Sequence, residues 1–123
     1  MPKVVVIDDE PGICELLEKA FTEDGCEVVA VTDSEKAVET VEKEKPDCIL
    51  LDIKMPKIDG IDVLSRIKGL SRSAPVIMIT GYGSLETAME SMKLGAYDYI
   101  TKPFDLDFVK TLVRHSMEPG RGE

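Results

Sequence analysis

Short unbroken apolar runs, regularly separated by stretches of helical periodicity, constrain this chain more than any other feature. The runs are Val4–Ile7, Val28–Val31, Ile49–Leu51 and Val76–Ile79, with a weaker fifth at Tyr97–Ile100. Continuous apolar character, as opposed to alternation, marks strands that are covered on both faces. Between the runs the period changes. Ile13, Leu16, Leu17, Ala20 and Phe21 recur at helical spacing, with Pro11 near the start and Gly25 past the end. Ala37, Val38 and Val41 form a thinner stripe behind a Thr32-Asp33-Ser34 cap candidate. Ile61, Leu64 and Ile67 follow the third run and stop at Gly69. Leu85, Ala88, Met89 and Met92 follow the fourth, between Ser84 and Gly95. Leu106, Val109, Leu112 and Val113 close the series behind Asp105.

Five β-α units in strict alternation predict an α/β fold, with a doubly wound parallel sheet, right-handed crossovers and helices on both faces. A chain of 123 residues suits one domain. Residues 1–117 are expected to form it, and 118–123, rich in Gly and charge, to be a disordered tail. Hydrophobic residues make up 43% of the chain, enough for a core without disulfides. Cys14, Cys26 and Cys48 have neither metal-type nor C-x-x-C spacing and read as small buried hydrophobes. The first apolar run meets Asp8-Asp9 too soon for a signal peptide, and no run approaches the ~20 residues of a membrane span. A cytoplasmic protein with no membrane contact is expected. The net charge of −9 argues against a nucleic-acid surface within these residues, which would need clustered Lys and Arg.

In open parallel sheets the site lies outside the carboxyl ends of the strands. Those ends carry Asp8-Asp9 after the first strand, Asp52 after the third, Thr80 after the fourth and Lys102 after the fifth. A phosphate-cradling loop after the first strand would be Gly-rich and neutral or basic. Asp8-Asp9-Glu10 repels phosphate and attracts a hard cation instead, which disfavours flavin or nucleotide binding. Clustered carboxylates with waters suit Mg²⁺. A cation there would relieve their repulsion and admit an anionic phosphoryl group to a carboxylate nucleophile. Lys102 would add a charge and Thr80 a hydroxyl donor. The constellation fits phosphoryl transfer onto an aspartate.

The chain resembles the receiver domain of bacterial two-component response regulators over about residues 3 to 117. The resemblance rests on Val6-Ile7-Asp8-Asp9-Glu10, on Leu50-Leu51-Asp52-Ile53-Lys54-Met55-Pro56 with Asp59-Gly60, on Ile79-Thr80-Gly81, and on Tyr99-Ile100-Thr101-Lys102-Pro103-Phe104. It implies a flavodoxin-like (βα)5 receiver fold with strand order 2-1-3-4-5, and a cis Lys102–Pro103 peptide bond. It implies Asp52 as phospho-acceptor. Asp9, Asp52 and the Lys54 backbone carbonyl would be direct Mg²⁺ ligands, and Asp8 would act mostly through water. Lys102 would contact the phosphoryl group, Thr80 would move toward it, and Tyr99 would turn inward in response. Gly81 leaves room for the phosphoryl group, while Lys54 and Tyr82 tune attack by water. Glu10 admits two roles, reaching the water shell of the cation or capping the first helix.

The implied function is a signalling switch. A sensor histidine kinase or a histidine phosphotransfer protein donates the phosphoryl group. The surface of the fourth helix, fifth strand and fifth helix then changes to control a partner, a C-terminal effector domain in a longer chain, or dimerisation. A metal-dependent phosphohydrolase with an aspartate nucleophile is the rival from another class. Such enzymes carry a second carboxylate two residues after the nucleophile, where this chain has Lys54. An interaction module that has lost phosphorylation is disfavoured because every chemical position is filled. The segment Gly81 to Ala88 is similar both to receivers of enhancer-binding transcription activators and to single-domain relay proteins of sporulation type.

Overall fold

The apolar runs form the strands β1 (Lys3–Ile7), β2 (Glu27–Val31), β3 (Cys48–Leu51), β4 (Val76–Thr80) and β5 (Asp98–Thr101) in a computed structural model of the chain that describes residues 1–70, 74–81 and 83–118. The helices between them are α1 (Pro11–Glu23), α2 (Ala37–Glu44), α3 (Gly60–Lys68), α4 (Leu85–Lys93) and α5 (Leu106–Ser116). The five strands are parallel in the order β2-β1-β3-β4-β5, the flavodoxin-like receiver topology. The Lys102–Pro103 bond is cis.

Successive side chains of a strand point to opposite faces, so each run feeds two cores at once. Val5, Ile7, Ile49, Leu51, Val76 and Met78 meet α2 and α3 through Ala37, Val41, Val63, Leu64 and Ile67. Val4, Val6, Leu50, Ile77, Ile79 and Ile100 meet α1 and α5 through Leu17, Phe21, Val109 and Val113. This explains why β1, β3 and β4 read as continuous apolar runs: both faces are dry. The three thiols are free and buried. Desolvation pushes Cys14 and Cys48 up to about 11, so they behave as packing residues.

One local reading needs correction. The cap candidate before the second helix serves a short 3-10 turn, Ser34–Lys36, with Asp33 accepting from the Glu35 amide, and α2 begins after it. The apolar stripe of α4 faces outward: Leu85 is 78% exposed, and Met89 and Met92 are exposed too. The face with Thr87 and Ser91 lies inward, Thr87 meeting Tyr99 on β5 and the buried Ser91 donating back to the Thr87 carbonyl. Ser84 caps α4 as the sequence predicts, in a reciprocal box with Thr87.

The sheet ladder also holds the backbone just beyond its strands. Asp8 donates its amide to the Val31 carbonyl at 3.0 Å, Asp52 to Ile7 at 2.9 Å and Lys102 to Thr80 at 2.8 Å. Three polar residues from distant parts of the sequence are thereby fixed at one edge. The expected tail lies, from residue 119 onward, outside the described residues.

Candidate functional site

At that edge the ends of β1, β3, β4 and β5 converge. Asp8 and Asp52 are buried, Thr80 is fully enclosed, and Lys102 reaches across from the end of β5. Lys102 Nζ donates to Asp8 Oδ2 at 2.9 Å and to Glu10 Oε1 at 2.8 Å, and stands 3.6 Å from Asp52 Oδ2. Asp8 is held further by its Oδ1, which accepts the Glu10 amide at 2.9 Å.

Oxygens of Asp8, Glu10 and Asp52 all lie within 4.8 Å of one another. Three carboxylates share one ammonium, so charge is under-compensated. Burial pushes the Asp52 carboxyl up to about 6, the neighbouring Asp8 charge pushes the same way, and Lys102, Thr80 and the Ile53 backbone offset only part of this. Burial also raises Asp8, against Lys102 and the Glu10 amide. For Lys102, burial works to lower the amine. Hydrogen bonds to Asp8 and Glu10 and the charges of Asp8 and Asp52 outweigh it and raise the amine above its ordinary range.

Asp52 Oδ1 is buried and has no hydrogen-bond partner among the described residues. An orphaned carboxylate oxygen is costly unless something electropositive meets it. With carboxylate oxygens of Asp8, Glu10 and Asp52 as the grouped donors, the pocket fits a hard divalent cation better than a soft or nitrogen-preferring one.

The structure brings together Asp8, Asp52, Thr80 and Lys102 from the sequence-predicted set, and Glu10, for which the sequence left two roles open, stands with them. Glu10 occupies the residue before α1 but makes no side-chain cap, and its carboxylate turns to Lys102 instead. Asp9 is half-buried and stands outside the group of three. Lys54 and Gly81 are exposed at the rim, and a Cβ on Gly81 would only brush the stem of Lys102. Tyr82 lies outside the described residues. Tyr99 is half-buried, its hydroxyl 3.1 Å from Thr87 Oγ1 on α4. Nothing in the sequence signals that contact, since no spacing rule pairs a strand tyrosine with the first turn of the preceding helix. Gly60, which opens α3, lies so close to the site that a Cβ would collide with the Asp52 carbonyl.

Comparison with known proteins agrees with this geometry. The family profile described as the response regulator receiver domain matches residues 4–114. Sporulation initiation phosphotransferase F of Bacillus subtilis (strain 168) is 38% identical over 112 residues, covering 91% of this chain and 90% of that protein. Regulatory protein AtoC of Escherichia coli (strain K12) is 34% identical over 94% of this chain, which spans only 25% of AtoC. The solved structure of the receiver domain of the Francisella response regulator 1452 superposes with a TM-score of 0.88 at 32% identity, covering 95% of this chain and 97% of that one.

Proposed function

Because the chain belongs to the response regulator receiver domain family, we propose that Asp52 is its phospho-acceptor and that residues 1–117 form one receiver unit. Homologues in this family are phospho-accepting response regulators of two-component signalling. The observation that carries the assignment is the buried Asp52 carboxylate, with one orphaned oxygen, in a group with Asp8 and Glu10 and 3.6 Å from Lys102.

In the proposed reaction an Asp52 oxygen bonds to the phosphorus of a phosphohistidine on a sensor kinase or phosphotransfer protein. The P–N bond breaks, and its electron pair stays on the imidazole nitrogen, which leaves with the partner. Mg²⁺ is the proposed cofactor, supplying positive charge that lets an anionic phosphoryl group approach a carboxylate. Asp9, Asp52 and the Lys54 carbonyl would hold it, with Asp8 acting through water and Glu10 near enough to join. Lys102 exchanges its carboxylate partners for phosphoryl oxygens, and the Thr80 hydroxyl donates to another. Gly81 leaves the rim open. Lys54 and Tyr82 govern how readily water reaches the acyl phosphate, the only hydrolysis ascribed to the chain.

Tyr99 is the proposed relay from Thr80 to the face of α4, β5 and α5. That face exposes Leu85, Met89, Met92 and Phe108 toward a partner, an output domain or a second copy. No described helix is long and apolar enough to cross a membrane, and the acidic net charge suits a cytoplasmic protein partner.

The test is phosphorylation by acetyl phosphate with Mg²⁺, with the adduct mapped by mass spectrometry. A single adduct on Asp52, lost in Asp52→Ala and in EDTA, is expected. Undiminished labelling of Asp52→Ala would sink the assignment.

A further inference from the structure

The loop after Asp52 contains a conformation that its own residues disfavour. Lys57 has φ 73°, in the left-handed region. The Ile58 amide donates to the Pro56 carbonyl at 2.9 Å, closing a three-residue turn around Lys57. An i→i+2 bond around a residue of positive φ is the rarer, strained form of γ-turn. Such a turn persists only where its surroundings over-determine it.

One side chain from another part of the sequence does that. Ser34 Oγ donates to the same Pro56 carbonyl at 2.6 Å and accepts from the same Ile58 amide at 3.1 Å. The hydroxyl thus spans both bonding groups of the turn, and Ser34 is only 3% exposed. Asp33 and Glu35 flank it and pair with Lys57 Nζ at 3.6 and 3.3 Å, on the exposed side where ion pairs contribute little. At its far end the loop is tied by the Gly60 amide, which donates to the Ile53 carbonyl at 2.7 Å. Lys54 lies between these two ties, two residues before Pro56.

We propose that Ser34 is a positioning residue for the chemistry at Asp52: its hydroxyl locks the Pro56–Ile58 turn and so fixes the backbone of Lys54. The inference rests on the reading above in which the Lys54 carbonyl is a cation ligand. Groups that orient metal ligands typically change metal affinity by 10- to 100-fold when removed. Ser34 would do so from the loop between β2 and α2, remote in sequence from every ligand.

The experiment is calorimetric titration of the whole chain with Mg²⁺, alongside amide hydrogen exchange at Ile58. Ser34→Ala should weaken Mg²⁺ binding roughly tenfold and speed Ile58 exchange. Ser34→Thr, which keeps the hydroxyl, should recover most of the affinity. Val41→Ala removes core packing from α2 without touching the turn and should bind Mg²⁺ as the wild type does. If Ser34→Ala does not fold, Ser34→Cys replaces it, keeping a similar volume with weaker hydrogen bonds and an expected loss in the same direction. Wild-type affinity in the folded Ser34 variant overturns the positioning role and leaves Asp52 phosphorylation standing. A wild-type chain that neither binds Mg²⁺ nor takes a phosphoryl group on Asp52 overturns the functional reading itself, and this inference with it.

Discussion

Lys102 is bound more closely to Asp8, at 2.9 Å, than to Asp52, at 3.6 Å, although both carboxylates are buried beside it. The ammonium is committed mainly to Asp8 and to the exposed Glu10. Asp52 keeps an unpartnered oxygen, and burial together with the Asp8 charge raises its pKa, which leaves a poised rather than a satisfied carboxylate.

Removing the ammonium should expose this imbalance. In Lys102→Ala, Asp8 and Asp52 lose their counter-charge in a buried setting, and about 2 kcal/mol of stability should go at pH 7.5 without metal. Both carboxyls would then titrate still higher, so the deficit should shrink as the pH falls to 5. Urea melts in EDTA at the two pH values decide it. An equal deficit at both would mean that Lys102 stabilises by packing its stem and not by charge.

The elevated Asp52 carboxyl sets the sign of the pH dependence. Folded, it titrates at about 6 against an ordinary 3.8, so the native state holds the proton more tightly than the unfolded chain. Its contribution is fully present below about pH 4 and is lost as the pH rises through about 6. Asp8, also raised, acts in the same direction. In EDTA, Asp52→Asn should be more stable than wild type by about 2 kcal/mol at pH 7.5, and the difference should vanish near pH 4. Millimolar Mg²⁺ should stabilise the wild type more than the variant. A variant less stable than wild type in EDTA at pH 7.5 contradicts the acidic-cluster account.

Thr87 serves two partners at once. It completes the capping box with Ser84 and meets the Tyr99 hydroxyl at 3.1 Å. Tyr99→Phe should cost about 0.5 kcal/mol, and Thr87→Val, which also opens the cap, about 1 kcal/mol. The double variant should fall short of the sum by roughly 0.5 kcal/mol. Strict additivity would show that the two hydroxyls do not support each other.

Lys54 at the rim and Tyr82 are the residues expected to hinder water. Both side chains are bulky enough to lean over a phosphoryl group and obstruct the line along which water would attack. Phosphorylated Lys54→Asn and Tyr82→Ala should lose the phosphoryl group faster than wild type under saturating Mg²⁺, followed by acid-quenched label. Unchanged decay in both would leave them without a shielding role.

The fold was legible because burial on both faces leaves a direct mark in the sequence. Val4–Ile7 and Val76–Ile79 could be nothing but inner strands once helices alternated with them. The site was legible for a related reason: a parallel sheet delivers every strand's carboxyl end to one edge, so Asp8, Asp52, Thr80 and Lys102 needed only to be read off in order. What escaped depends on loop dihedrals and on neighbours. The run Asp8-Asp9-Glu10 shows three carboxylates, but which of them face Asp52 is decided by how the chain turns into α1. Leu85, Met89 and Met92 make a valid helical stripe, yet periodicity reports that a face exists and is silent on which way it points. Ser34 carries no signal at all, because its partners are backbone groups more than twenty residues away.

The strand order leaves β2 and β5 as the two rims of the sheet. Open rims present rows of backbone donors and acceptors, the usual starting point for filament growth by strand addition. Here the rim strands are only five and four residues long, and each begins with an acidic residue, Glu27 and Asp98. A second copy approaching either rim would align like charges and find few rungs to share. Crowded solutions of this protein should therefore resist fibril formation, and copies that do associate should meet through helices.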